Sequence, residues 1–436
     1  MPEGAGSEGA LTFAEGLDIP ALGMPINRRD FVRSLTCVAS HFGIRRPHAG
    51  AAALKTEKTY DVAVIGAGVF GAWTAYRLQQ AGSKVVVLDA YGPGNSRASS
   101  GGESRIIRMG YGADEIYTRW SIRSLEMWKS FFDQIHQKLF HPTGVLWMAR
   151  DGDEYANKTM ATLEKLGVPF EKMTRPQLEK RYPQIAFGTV TWGLLEPDSG
   201  ALMARRCVLA VVEQAVAIGT AYFKEAVETP RAKGRLAALK TRSGNNIHAE
   251  TFVFACGPWL PKIFPELLQN RIYPTRQEIL FFGPPAGDAR FTSPALPVWI
   301  DFGEEVYGVP DLENRGFKIA LDRHGPHFDA DSGNRLVGSE SVEAMRKILA
   351  RRFPGLRNAP LVEARVCQYE NTSNGDFLID RHPDLENVWL VGGGSGHGFK
   401  HGPALGEYVS TKLDGGEVDP RFTLATKDKV HKRSVY

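Results

Sequence analysis

Three glycines and one acid set the first chemistry that this chain can do. Gly66-Ala67-Gly68-Val69-Phe70-Gly71 follows directly on an apolar run at residues 60–65, and Asp89 stands 18 residues after Gly71. In a strand-turn-helix unit such glycines have separate jobs: a tight turn, close approach of backbone to a pyrophosphate, and close packing of helix on strand. The first amides of the helix then face the phosphates. Asp89, at the end of a second strand, is placed to accept hydrogen bonds from a ribose hydroxyl. A lone glycine pattern also fits an ordinary strand-turn-helix, but here strand, glycines, helix, strand and acid occur in order, which points to a dinucleotide site. The motif does not choose between FAD and NAD.

The periodicity supplies elements to hold these residues. Residues 60–65 and 84–88 read as buried parallel strands. Val69, Ala72, Trp73 and Tyr76 recur at i, i+3, i+4 and i+7, which predicts a helix with one apolar face that Gly82 ends. Residues 387–391 predict another buried strand. It runs into Gly392-Gly393-Gly394-Ser395-Gly396-His397-Gly398, with a helix starting after Pro403. Residues 113–134 and 153–166 read as helical. The alternation at 298–309 and 317–321 predicts an antiparallel sheet apart from the nucleotide-binding one.

A chain of 436 residues exceeds what one core usually organises, so two domains are expected. The net charge of +4 is not concentrated in any run of Lys and Arg, so nucleic acid has no electrostatic footprint, while a small anionic substrate is compatible. Nothing approaches the roughly 18 apolar residues of a membrane span. Cys37, Cys207, Cys256 and Cys367 lack the spacing of a zinc site or the density of a disulfide scaffold, so no metal is expected. Residues 1–58 differ from the body, being rich in Gly, Ala and Pro. Asn27-Arg28-Arg29-Asp30-Phe31 in this leader looks like a twin-arginine export signal, and Ala49-Gly50-Ala51 offers a cleavage site. The other reading is a leader whose arginines are chance, so the location stays open between cytoplasmic and periplasmic or exported.

Several polar residues stand in unexpected company. Lys318 lies in an apolar stretch, 316–321, where burial without a partner is costly; an edge-strand lysine facing water is the alternative. Arg105 and Arg108 follow Gly101-Gly102, and on residue type alone they read as ion pairs. Cys367 alone reads as a small buried hydrophobe. Tyr307 and Tyr369 suit core packing as well as stacking on a cationic or aromatic ligand.

From residue 60 to about residue 422 the chain resembles the monomeric sarcosine oxidase and N-methyltryptophan oxidase family of flavoproteins, within the larger D-amino-acid-oxidase-like group. Four motifs carry the resemblance: the glycine fingerprint; Gly102-Glu103-Ser104-Arg105-Ile106-Ile107-Arg108; Val366-Cys367-Gln368-Tyr369; and Gly396-His397-Gly398-Phe399-Lys400. Phe252-Val253-Phe254-Ala255-Cys256-Gly257-Pro258-Trp259 is similar to a strand and turn of that family's flavin domain. The resemblance implies an α/β fold: a Rossmann-like FAD-binding domain (59–142, 198–272 and 374–425) interleaved with a substrate domain (143–197 and 273–373) on a mixed, largely antiparallel sheet. A leader at 1–58 and a tail at 426–436 flank them. It further implies oxidation of a small secondary amine, or an N-methyl or cyclic amino acid, to an imine, with oxygen reduced to hydrogen peroxide by a monomer.

Residue by residue, the resemblance makes Cys367 the thioether anchor of the flavin 8α-methyl. It makes Arg108 and Lys400 the grip on a substrate carboxylate. It places Lys318, helped by Arg105, at the flavin N5 to promote reaction with oxygen. Gly66, Gly68, Gly71, Asp89, Arg105, Gly394, Gly396, Gly398 and Lys400 become cofactor contacts, and Tyr307 and Tyr369 pocket walls. Where family members often have a histidine shortly after the active-site lysine, this chain reads Lys318-Ile319-Ala320-Leu321-Asp322, with His324 beyond, which leaves the side-chain pocket open. Trp299 and Asp301 are expected near that pocket. Amine oxidation by a flavin needs a neutral amine, its α C–H aimed at N5, and positive charge beside the ring. Arg105, Arg108, Lys318 and Lys400 supply that charge. Two other readings stay open: an amine or D-amino-acid dehydrogenase passing electrons to a quinone or protein acceptor, and a flavin-binding protein without turnover.

Overall fold

The strand Thr59–Ile65 is the hub of the first sheet, in a computed structural model that describes residues 59–428. The leader with its paired arginines and Cys37 lies outside the described residues, as does the tail beyond residue 428. Val62 to Ile65 are buried, and parallel neighbours flank the strand: Val85–Leu88 on one side and Asn246–Phe254 on the other. Val85–Leu88 then pairs with Ala221–Phe223, and Asn246–Phe254 with Leu385–Gly392. Two antiparallel additions, Leu378–His382 and Leu239–Lys240, bring the sheet to seven strands. At its centre, residues 62–65, 85–88, 252–254 and 388–391 are buried and apolar without alternation, as sheets covered on both faces require.

The helix Val69–Gln80 differs from the one-faced helix that its spacing predicts. Phe70, Gly71, Thr74 and Ala75 are buried along with Val69, Ala72, Trp73 and Tyr76. The reason is company: the helices Ala204–Ala217 and Gly402–Leu413 both pack against it. It ends as expected at Gly82, whose φ of +95° is left-handed, while Ser83 N–H reaches back to the Leu78 carbonyl at 3.1 Å. The last long helix starts at Gly402, two residues earlier than predicted, because Pro403 needs no amide partner in a first turn.

The second sheet has eight strands in the order Leu361–Thr372, Ile272–Phe282, Phe317–Leu321, Val306–Val309, Val298–Asp301, Val145–Ala149, Trp192–Glu196, Glu171–Thr174. Every pairing is antiparallel except that of Val298–Asp301 with Val145–Ala149, so the sheet is mixed as expected. Phe317–Leu321 is interior and its residues from Phe317 to Ala320 are all buried, so neither face is open to water. A small third sheet, Arg105–Ile107, Gly200–Leu202 and Phe140–His141, was not predicted; its strands are too short to show a period. It nevertheless holds Arg105. No helix among the described residues is long and apolar enough to cross a membrane.

Candidate functional site

A cleft of about 670 Å³ opens at the carboxyl ends of the parallel strands, where ligands bind in open α/β sheets. Gly66, Gly68 and Asp89 line it from the first sheet, Cys367 and Tyr369 from the second, and Gly394, Gly396 and Gly398 from the turn after Leu385–Gly392. The glycines divide their labour visibly. Gly66 turns at a φ of +107°, and a Cβ there would meet the Ala255 carbonyl oxygen at 2.3 Å. A Cβ at Gly71 would meet the Gly66 oxygen at 1.9 Å, so Gly71 serves helix packing and does not line the cleft. A Cβ at Gly68 would meet only Ser100 Oγ, at 3.6 Å, so its open side belongs to the cleft. Asp89 is anchored by backbone: Oδ2 accepts from Ala67 N–H at 2.8 Å, and Oδ1 accepts from Tyr91 and Gly92 N–H at 2.8 and 2.7 Å. A carboxylate has about four acceptor positions, so capacity for a ribose hydroxyl is left. This cradle fits a dinucleotide.

Arg105 and Cys367 meet at the cleft. The guanidinium donates to the Ser99 and Ser104 carbonyls at 2.6 and 2.8 Å and lies 3.4 Å from the Cys367 sulfur. Lys318 is only 2 % exposed, and its Nζ donates to that same Ser104 carbonyl at 3.0 Å, with the Tyr307 ring 5.4 Å away. Burial, and then the nearby Arg105 charge, push the Lys318 pKa well below the usual lysine range; Cys367 acts in the opposite sense. The water-facing edge lysine is thereby excluded.

Arg108 and Lys400 form a second pair around Tyr111. Lys400 Nζ donates to Tyr111 Oη at 2.7 Å and to the His397 carbonyl at 3.1 Å. The Arg108 guanidinium stacks over the Tyr111 and Trp147 rings, 4.4 and 4.9 Å from their centres, and donates to the Gly110 carbonyl. Behind them Glu196 accepts four hydrogen bonds, from Met109 and Gly110 N–H, Trp147 Nε1 and Ser199 Oγ. Burial and then Arg108 push the Lys400 pKa well down, against the pull of Asp322 and Glu196.

The four cations are thus brought together as two pairs, and of the four only Arg105 lines the large cleft. Asp322 lies near the second pair: it accepts from Tyr369 Oη at 2.8 Å and interacts electrostatically with Lys400 and Tyr307. Trp299 and Asp301 correct the expectation that they lie by the pocket. Trp299 packs on Phe317 and Phe353 in the core of the second sheet, and Asp301 is buried against Arg150 and Arg352. Cys207 is buried and Cys256 is half-buried in the cleft lining, and burial raises the pKa of both thiols.

Sequence reasoning assigned nothing to Tyr111, Glu196, Asp322, Glu370, His397 or His401. Glu370 and His397 stand within or beside quoted motifs, and Tyr111 is three residues beyond Arg108, so proximity was their only signal. Tyr111 Oη also meets His401 Nε2 at 2.7 Å and His397 Nδ1 at 3.2 Å.

A family model described as DAO, FAD dependent oxidoreductase, matches residues 61–411. The chain is 30% identical over 387 residues to the monomeric sarcosine oxidase of Bacillus sp. (strain NS-129), covering 86% of this chain and 99% of that protein. It is 28% identical over 364 residues to the N-methyl-L-tryptophan oxidase of Salmonella heidelberg (strain SL476), covering 80% of this chain and 94% of that one. In fold it is similar to the L-proline dehydrogenase from P. horikoshii, with a TM-score of 0.73 at 20% identity over 84% of this chain and 96% of that one.

Proposed function

The chain belongs to the DAO family of FAD-dependent oxidoreductases, and from that premise we propose that it oxidises a small secondary amine, or an N-methyl or cyclic amino acid, to the imine, with oxygen reduced to hydrogen peroxide. One observation carries the reading. Two buried lysines, Lys318 and Lys400, each sit near an arginine, and among the described residues each donates only to uncharged oxygens: the Ser104 carbonyl for Lys318, Tyr111 Oη and the His397 carbonyl for Lys400. Burying such groups costs several kcal/mol unless an anion completes the site.

FAD, when bound, supplies the two-electron acceptor. The residues that would hold it are Gly66, Gly68 and Asp89 toward the dinucleotide, and Arg105, Gly394, Gly396 and Gly398 at the other walls, with Cys367 offering its sulfur for attachment. Arg108 and Lys400 grip the substrate carboxylate, the planar guanidinium giving orientation and the ammonium giving charge. Tyr111 aims Lys400, while Glu196 holds the 108–111 backbone to which Arg108 is bonded. A fixed carboxylate fixes the α C–H, so grip and rate are coupled. Lys318 and Arg105 place positive charge where negative charge grows as electrons arrive and as oxygen is reduced.

The test is anaerobic bleaching of the purified flavoprotein by a panel of N-methyl and cyclic amino acids, followed by admission of air with peroxide measured. Bleaching with stoichiometric peroxide supports the reading. Bleaching with dye reduction but little peroxide replaces oxygen by another acceptor, and no bleaching across the panel removes the amine chemistry.

A further inference from the structure

Glu370 is a buried acid in the cleft to which the amine chemistry gives no task. It follows Tyr369 on the strand Leu361–Thr372, is 6 % exposed, and lines the cleft. Its Oε1 has no hydrogen-bond partner and its carboxylate no ion pair among the described residues. The group is pressed against the end of the strand Leu385–Gly392, where a Cβ on Gly392 would meet Oε1 at 2.5 Å. The amides of Gly393 and Gly394 favour its charged form, but burial outweighs them and raises its pKa to about 7. Glu370 acts electrostatically on Cys256, and the charged groups in the same lining are Asp89, Arg105, Glu225, Glu228, Arg231, Arg242, Lys262 and Asp331. None of these is bonded to it.

An unpaired buried carboxylate neutralises itself by keeping its proton, and a carboxylic acid is a hydrogen-bond donor where a carboxylate is only an acceptor. The cleft must admit a dinucleotide, whose pyrophosphate is anionic and whose other polar atoms are largely acceptors. A charged Glu370 would repel such a ligand, whereas the neutral acid does not and carries an O–H donor. We propose that Glu370 keeps its proton in the loaded enzyme and donates it as a hydrogen bond to the bound dinucleotide, so that cofactor loading takes up a proton. The inference stands on the FAD-binding family and is independent of which amine is oxidised.

Binding that requires the protonated acid raises its pKa further. Affinity for FAD is therefore full below neutrality and falls as pH rises through about 7, by about tenfold per unit at the steepest. The experiment uses apoprotein carrying Cys367→Ala, in which FAD binds reversibly, titrated with FAD from about pH 6 to about pH 9. Glu370→Gln in that background keeps an N–H donor but cannot titrate. Its affinity should be flat with pH and should exceed that of the Glu370 protein at the alkaline end. A flat profile with Glu370 present, or an unchanged slope with Gln, overturns the proposal. Calorimetry of FAD binding to the Cys367→Ala apoprotein, in buffers of different ionisation enthalpy, counts the protons directly and does not depend on the Gln variant folding. Uptake of about half a proton near pH 7, rising toward one by about pH 8, supports the proposal, and none across that range overturns it.

Discussion

Arg105 and Cys367, 262 positions apart in the chain, meet with the guanidinium 3.4 Å from the sulfur at the wall of the cofactor cleft. The sulfur thus lines the cleft proposed to hold the flavin. Cys367→Ala should therefore leave FAD bound but extractable: acid precipitation of the variant should give a colourless pellet and a yellow supernatant. A yellow pellet from the variant removes Cys367 as the point of attachment.

Lys318 and Arg105 share one acceptor, the Ser104 carbonyl, which keeps the two charges together. Lys318→Met removes the charge and keeps the bulk. Rapid-mixing measurements should show reoxidation by oxygen slowed by roughly 10²-fold, in line with loss of one preorganised electrostatic group, with flavin reduction changed far less. Equal slowing of both half-reactions contradicts the assignment.

The Lys400 pKa is held well below the usual range in the ligand-free site, and a bound carboxylate raises it. Affinity for simple carboxylate inhibitors is thus greatest at low pH and declines as pH rises through the ligand-free pKa of Lys400. Lys400→Ala should weaken such inhibitors by roughly 10–100-fold, the worth of one charge-assisted hydrogen bond, and should flatten the pH profile. Tyr111→Phe, which removes the hydroxyl that aims the amine, should fall between. Inhibition constants measured spectrally across pH decide it, and an unchanged constant in Lys400→Ala excludes Lys400 from the grip.

Asp301 is fully buried between Arg150, at 2.7 Å, and Arg352. Arg352→Ala leaves that carboxylate half-compensated in the core of the second sheet and should cost about 3–5 kcal/mol of stability, read as a lowered denaturant midpoint. Asp301→Asn with Arg352→Met should recover much of the loss. An Arg352→Ala protein as stable as its parent shows that Arg150 alone suffices.

Legibility in the sequence followed the range of the interaction. The glycine turn, its strands, the Gly82 helix end and the helix Glu115–Gln134 are written in spacing because each depends on neighbours a few residues away. The helix Val69–Gln80 was recognised but its surroundings were misjudged, since burial on all sides depends on two helices far along the chain. Trp299 and Asp301 were expected near the pocket, yet their partners Phe353 and Arg352 turn them into the core.

By itself the sequence determined the dinucleotide turn, the division into two kinds of sheet, and which cations have no business in a core unless chemistry needs them. Only the tertiary structure decided that these cations form two pairs, that Ser104 and Tyr111 hold them, that Asp322 meets Tyr369 and acts on Lys400, and that Glu370, a cleft-lining residue, keeps an unsatisfied buried oxygen. The physical reason is that periodicity reports which face of an element avoids water, while distances between side chains hundreds of residues apart are set by how the sheets pack, and no local pattern encodes that.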